Sequence, residues 1–194
     1  VAKWNGSAWS ALGSNGASNG SLNYSVFAIA ISGTDVYVGG AFTNVNNNGT
    51  SLTAADFVAK WNGSAWSALG SNGASNGSLG FSVYTIAISG TDVYVGGLFL
   101  NVNNGGTSLT AADYIAKWDG TNWSALGSDG AGNGSLNNSV FAIAISGTDV
   151  YVGGLFLNVN NNGTLHTSPG LLAKSYGTAW SALGSNGASN GSLR

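Results

Sequence analysis

Apolar residues in this chain come in short alternating runs separated by polar, glycine-rich stretches. Residues 25–32 (SVFAIAIS) and 36–42 (VYVGGAF) are rich in β-branched and aromatic side chains. Gly33-Thr34-Asp35 lies between them, so the segment reads as two strands joined by a tight turn. After a polar stretch, residues 57–61 (FVAKW) and 64–69 (SAWSAL) form a second pair around Asn62-Gly63. Asn-Gly between apolar runs predicts a two-residue type I′ turn, because both central residues of that turn need positive φ. Asp119-Gly120 keeps the same chemistry further along. Strong helix formers other than Ala and Leu are scarce, and both Glu and Gln are absent.

The pattern repeats. VAKWNGSAWSALG starts at Val1 and again at Val58, IAKWDGTNWSALG at Ile115, and a worn copy, LAKSYGTAWSALG, at Leu172, each 57 residues after the last. The first two units differ at eight positions, among them the reciprocal exchanges Tyr24/Phe81 and Phe27/Tyr84, which conserve aromatic volume. A 57-residue period with four strands and no helical segment is the grammar of a β-propeller blade rather than of a helical solenoid. The expected fold is all-β: β-propeller-type, four-stranded antiparallel blades in about three and a half repeats. The expected organisation is a single array over residues 1–194, with an outer hairpin and linker at 1–23 and blades at 24–80, 81–137 and 138–194.

Three VYVGG strings (starting at Val36, Val93 and Val150) and the spaced pairs Trp4/Trp9, Trp61/Trp66 and Trp118/Trp123 carry a family resemblance. The chain resembles kelch-like β-propeller repeats, and most closely those of secreted bacterial surface proteins with the form VYVGGxF…IAKWDGxxWSAL. It departs from them in a long Asn-rich loop after each GGxF and in Ser175, which replaces the first Trp of its pair. The resemblance implies that SVFAIAIS is the innermost strand of a blade and SAWSAL the outermost. It also implies an extracellular or cell-surface location.

Composition narrows the chemistry. With 5 Lys and Arg against 7 Asp, the net charge of -2 offers no footprint for nucleic acid. The absence of Cys removes disulfides, thiolate metal sites and Cys nucleophiles. No apolar run approaches the roughly 20 residues of a membrane-spanning helix. His166 has no acidic neighbour and reads as a surface-loop residue near Pro169. Asn-x-Ser/Thr triplets, from Asn5 to Asn190, are what so much Asn, Ser and Thr generates by chance. Lys3, Lys60, Lys117 and Lys174 recur with the period, and pairing with Asp56 or Asp113, four positions upstream of Lys60 and Lys117, is expected. Residues copied into every blade make poor catalysts, since an active site needs one asymmetric constellation. No enzyme, cofactor or metal site is expected.

Strand parity sends the segments SNGASNGSLN and NVNNNGTSLTAAD to the same end of the blades. Loops on a rigid scaffold commonly carry binding. The candidate ligand-binding residues are therefore Asn44, Asn46, Asn101, Asn103, Asn158 and Asn160 in these loops, with Trp66 and Trp123 as rings that could stack on sugars. Solvated linkers and inter-blade packing are the competing readings. The sequence thus points to a non-enzymatic extracellular structural or adhesive module presenting Asn/Ser/Gly-rich loops, with a multivalent carbohydrate-binding lectin as the alternative. Three blades and an odd hairpin predict a partner: further copies of the chain, or a longer array, with glycans as the other ligand class.

Overall fold

The computed structural model describes residues 1–167 and 171–184; Pro169, Asn190 and the last linker copy (185–194) lie outside them. Among the described residues the chain is all-β. A lone hairpin, β1 (Ala2–Trp4) and β2 (Trp9–Ala11), is followed by three units built alike. The first contains β3 (Val26–Ser32), β4 (Asp35–Gly40), β5 (Val45–Asn47), β6 (Thr50–Leu52), β7 (Val58–Trp61) and β8 (Trp66–Ala68). The second repeats this as β9 (Val83–Ser89), β10 (Asp92–Gly97), β11 (Val102–Asn104), β12 (Thr107–Leu109), β13 (Ile115–Trp118) and β14 (Trp123–Ala125). The third has β15 (Val140–Ser146), β16 (Asp149–Gly154), β17 (Val159–Asn161), β18 (Thr164–His166), β19 (Leu172–Tyr176) and β20 (Ala179–Ala182). Each unit is a four-stranded antiparallel blade, ordered β3-β4-β7-β8, β9-β10-β13-β14 and β15-β16-β19-β20. The innermost strands β3, β9 and β15 pack side by side.

The polar stretch between the second and third blade strands is not an open loop. In every unit it folds into a short hairpin of its own, β5-β6, β11-β12 and β17-β18. Val45, Val102 and Val159 are wholly buried there, behind the equally buried Phe42, Phe99 and Phe156. Asn47 pairs with Thr50, leaving Asn48-Gly49 as a two-residue turn with φ of 52° and 95°. That is the type I′ geometry, and Gly105-Gly106 and Asn162-Gly163 repeat it.

The other Asn-Gly corrects the sequence expectation. Trp61 pairs with Trp66, so four residues, 62–65, connect β7 to β8, and only Gly63 has positive φ. The cause is the Asn62 side chain, whose Oδ1 accepts the backbone N–H groups of Ser64 and Ala65 at 3.0 and 2.9 Å. Such an Asx turn caps the loop from within and removes the need for a second left-handed residue.

The double glycines explain how blades stack. A Cβ at Gly39 would lie 2.5 Å from Cγ1 of Val83, and one at Gly96 would lie 2.6 Å from Cγ1 of Val140. Each glycine is thus a hole that receives a valine from the innermost strand of the following blade. The second glycine serves its own sheet: a Cβ at Gly40 would lie 2.1 Å from the Ser25 carbonyl oxygen. Nearby, the ladder slips by one residue at Phe27, between the pairs Val26–Gly40 and Ala28–Gly39. This bulge re-aims an aromatic ring along the inner edge of the blade. Phe27, Tyr84 and Phe141 consequently form a ladder with ring centroids 5.7 and 5.3 Å apart.

Apolar cores fill the seams between blades. Val58 and Leu69 of the first blade meet Val83, Val93, Val95 and Trp123 of the second. Ile115 and Leu126 of the second meet Val140, Val150, Val152 and Trp180 of the third.

Candidate functional site

The loop face is assembled from linkers and short hairpins, and its polar groups bond chiefly to one another. In the first linker Asn15 Oδ1 accepts the N–H groups of Ala17 and Asn19 at 2.9 and 3.1 Å. Asp129 does the same for Ala131 and Asn133 in the third linker, and also accepts from the Asn133 amide. These bonds, led by the Asn133 side chain, hold the Asp129 carboxyl below its ordinary pKa. Each short hairpin is then tied to the linker before it: Asn46 N–H donates to the Ser21 carbonyl and Asn48 N–H to that of Ser14, at 2.8 and 2.9 Å.

Five of the six candidate asparagines fall into two structural roles, and Asn158 stands apart. Asn46, Asn103 and Asn160 each accept a turn N–H, from Gly49, Gly106 and Gly163, at 2.7, 2.7 and 2.9 Å. Asn44 and Asn101 sit at φ of 53° and 52°, a region that Asn tolerates better than most residues. Their N–H groups donate to Asp56 and Asp113, at 2.8 and 2.9 Å. Asn158 N–H instead points to the Asn137 side chain at 3.4 Å. Asn158 and Asn160 share a cleft of about 300 Å³ between the second and third blades, also lined by Asp113, Asp129 and Asn137. The other four are not brought into it.

Asp56 and Asp113 were expected to pair with lysines, and they do not. Both are buried. The second carboxylate oxygen of Asp56 accepts Gly77 N–H, and that of Asp113 accepts Gly134 N–H, each at 3.1 Å. Each aspartate therefore clamps its own blade to the linker that leads into the next, and has no lone pair directed at a lysine. The lysines reach diagonally across the sheet to the turn aspartates: Lys60 to Asp35 at 3.2 Å, Lys117 to Asp92 at 3.0 Å, and Lys174 to Asp149. The hydrogen bond that Lys117 donates to Asp92 raises its pKa against the opposing effect of partial burial. Burial, followed by the Asp113 charge, raises that of Tyr114.

Trp66 and Trp123 belong to the seams. They are 3% and 2% exposed, and their Nε1–H groups donate to the carbonyls of Leu12 and Leu69 at 2.9 and 2.8 Å. Neither ring offers a face to a sugar in this structure. The exposed aromatic surface lies elsewhere, on Trp4, Trp9, Tyr24, Phe81 and the half-exposed ladder rings Phe27 and Phe141. Leu98, Leu100, Leu155 and Leu157 are exposed beside the loops. The signal for these was present in the chain, because Ala41 and Thr43 of the first unit become leucines in the next two. His166 ends strand β18 rather than lying in a loop, half-buried, with its Nε2 3.2 Å from Asn161 Nδ2.

Among the described residues no three His, Asp, Glu or Cys side chains gather as a metal cage. No described helix is long and apolar enough to cross a membrane. No protein-family model matches the chain, and no curated protein matches it. Its chemistry must be read from its own residues.

Proposed function

We propose that the chain is a non-enzymatic structural repeat module of the extracellular space or cell surface, which assembles through its repeats and presents the loop face outward. One observation carries this reading. Polar groups that recur from unit to unit, Asn46 with Asn103 and Asn160, Asp56 with Asp113, and Asn62 with Asp119, are occupied by backbone N–H groups of the same chain. A site evolved for a ligand holds polar groups in reserve for it, whereas these groups hold hairpins and linkers in place. The extracellular setting is supported by the resemblance of the VYVGG and AKWNGSAW strings to secreted surface repeats. Low charge supports self-association, since few like charges oppose it.

Sedimentation velocity over a range of concentrations, paired with a glycan array, tests the reading. Species heavier than one 19.3 kDa chain are expected, with no saturable glycan binding. A strictly monomeric chain, or specific glycan capture weakened by substitution of Asn158 or Asn160, would contradict it. The second result would favour a lectin with its site in the cleft between the last two blades.

A further inference from the structure

The hairpin β1-β2 has the sequence and pairing of an outer blade hairpin: Trp4 pairs with Trp9 as Trp61 pairs with Trp66, with ring centroids 5.5 and 5.4 Å apart. In the three complete blades an inner strand pair runs along the free edge of that hairpin. Val36, Tyr37, Val38 and Gly39 pair with Trp61, Lys60, Ala59 and Val58. Among the described residues β1 pairs only with β2, and a groove of about 740 Å³ lies between its free edge and the first blade. Val1, Trp4, Ile29, Ile31, Val36 and Trp61 are among its lining residues. Ile29 and Ile31 are 55% and 68% exposed, whereas their counterparts Ile86 and Ile88 are packed against the seam core. Lys3 has no carboxylate at ion-pair distance among the described residues, although Lys60, Lys117 and Lys174 each have one.

The opposite end of the molecule is the complement. Gly153 is the counterpart of Gly39 and Gly96, yet among the described residues a Cβ there would meet nothing closer than 3.7 Å. It is a hole without its valine. Ala142 and Ala144 beside it on β15 are exposed. In the two interior seams that hole is filled by Val83 with Ile86, and by Val140. The first blade carries the same residues: Ile29 lines the groove, and Val26 is half-buried beside it.

We infer that the groove between β1-β2 and the first blade receives the inner strand pair β15-β16 of a second copy of this chain, so that copies join head to tail through a shared blade. This inference rests on the proposed self-assembly and specifies its geometry. The occupant is argued from the seams already present, where near-identical residues are covered by the equivalent glycine-bearing strands β4 and β10. The incoming β16 pairs with β1 in the register of the other blades, setting Tyr151 opposite Lys3 and Val152 opposite Ala2. Lys3 then reaches Asp149 of the second copy, as Lys174 does within its own chain. The donor's β19-β20 hairpin gives way to β1-β2. That exchange restores a Trp pair to a blade in which Ser175 stands opposite Trp180.

Two measurements test it on the whole chain. At Gly153→Val the added Cβ makes only ordinary contacts in a single copy, from 3.7 Å outward, but enters the Val26–Ile29 contact in the joined one. It is expected to leave the circular dichroism spectrum and melting unchanged while weakening association at least tenfold. Because the chain has no cysteine, Lys3→Cys and Tyr151→Cys proteins can be mixed and mildly oxidised. A mixed disulfide well above the statistical half of all dimers is expected, falling to that level when the Tyr151→Cys protein also carries Gly153→Val. Association that ignores Gly153→Val, with disulfides at the statistical level, would overturn this geometry and leave self-assembly standing. Absence of any association would overturn both.

Discussion

At Trp123 the indole ring fills the seam between the first and second blades, while its nitrogen satisfies the buried Leu69 carbonyl. Large amphipathic rings suit such positions because one side chain supplies apolar area and a donor together. Trp123→Phe keeps most of the area but leaves that carbonyl without its partner, at an expected cost of about 1–3 kcal/mol. Trp123→Ala adds a cavity and is expected to cost about 3–5 kcal/mol. Guanidinium unfolding measures both. Unchanged stability for either variant would show that the ring does not hold the seam and would reopen a binding role. The buried Asp56 and Asp113 act on the same principle, since a desolvated carboxylate persists only where donors surround it, and each finds two backbone N–H groups.

Turns and hairpins set the response to pH. Asp119 heads the connection between β13 and β14, and the N–H groups of Asn122 and then Thr121 hold its carboxyl below the ordinary value. A carboxyl lowered by folding contributes stability above its unfolded pKa, about 3.9, and loses it as pH falls through the lower folded value. Lys117 is raised by folding, so its contribution is complete below about 10.4 and is lost as pH rises through the higher folded value. Melting temperature is therefore expected to be flat from about pH 5 to 9.5 and to fall at both ends. Asp119→Asn should reduce the fall in acid, because Asn62 makes the same two turn bonds in the first unit without titrating. A peak confined to one side of neutrality in melts across this range would contradict the assignment.

The elements also divide by how far they could be read from the sequence. The blade strands were legible because seven-residue runs such as VFAIAIS display their alternation. The short hairpins were not, since strands of three residues with one apolar position each, Val45 and Leu52, have no period to detect. The Asn-Gly signal was real but ambiguous: two of its copies, at 48–49 and 62–63, lie between paired strands of the first blade, and the bonds of the asparagine side chain decide which becomes type I′. Lysine pairing was misassigned because a partner across a sheet depends on register, which spacing along one strand does not reveal. The candidate asparagines were chosen by loop position alone, and their hydrogen bonds to the backbone are tertiary facts.

Among the described residues, one packing rule is applied twice between blades and left open at the first hairpin and at the third blade. Gly39 and Gly96 are filled by the following blade, Gly153 is not, and the inner edge of β1 has no neighbour. Burial of the exposed Ile29, Ile31, Trp4 and Trp9 is worth roughly 25 cal/mol per Å², and it has to exceed the cost of releasing β19 from β16 in the donor. Stability in such an array is a sum of unit and seam contributions, so the end strands should be its weakest part. Amide hydrogen exchange resolved by residue at low and high protein concentration tests this most directly. Amides of β1 and β2 should exchange far faster than those of β7 and β8 in dilute solution, and should gain protection together with β15 and β16 as concentration rises. Equal protection of β1-β2 and β7-β8 in dilute solution, unchanged by concentration, would contradict an open array completed by its own repeats.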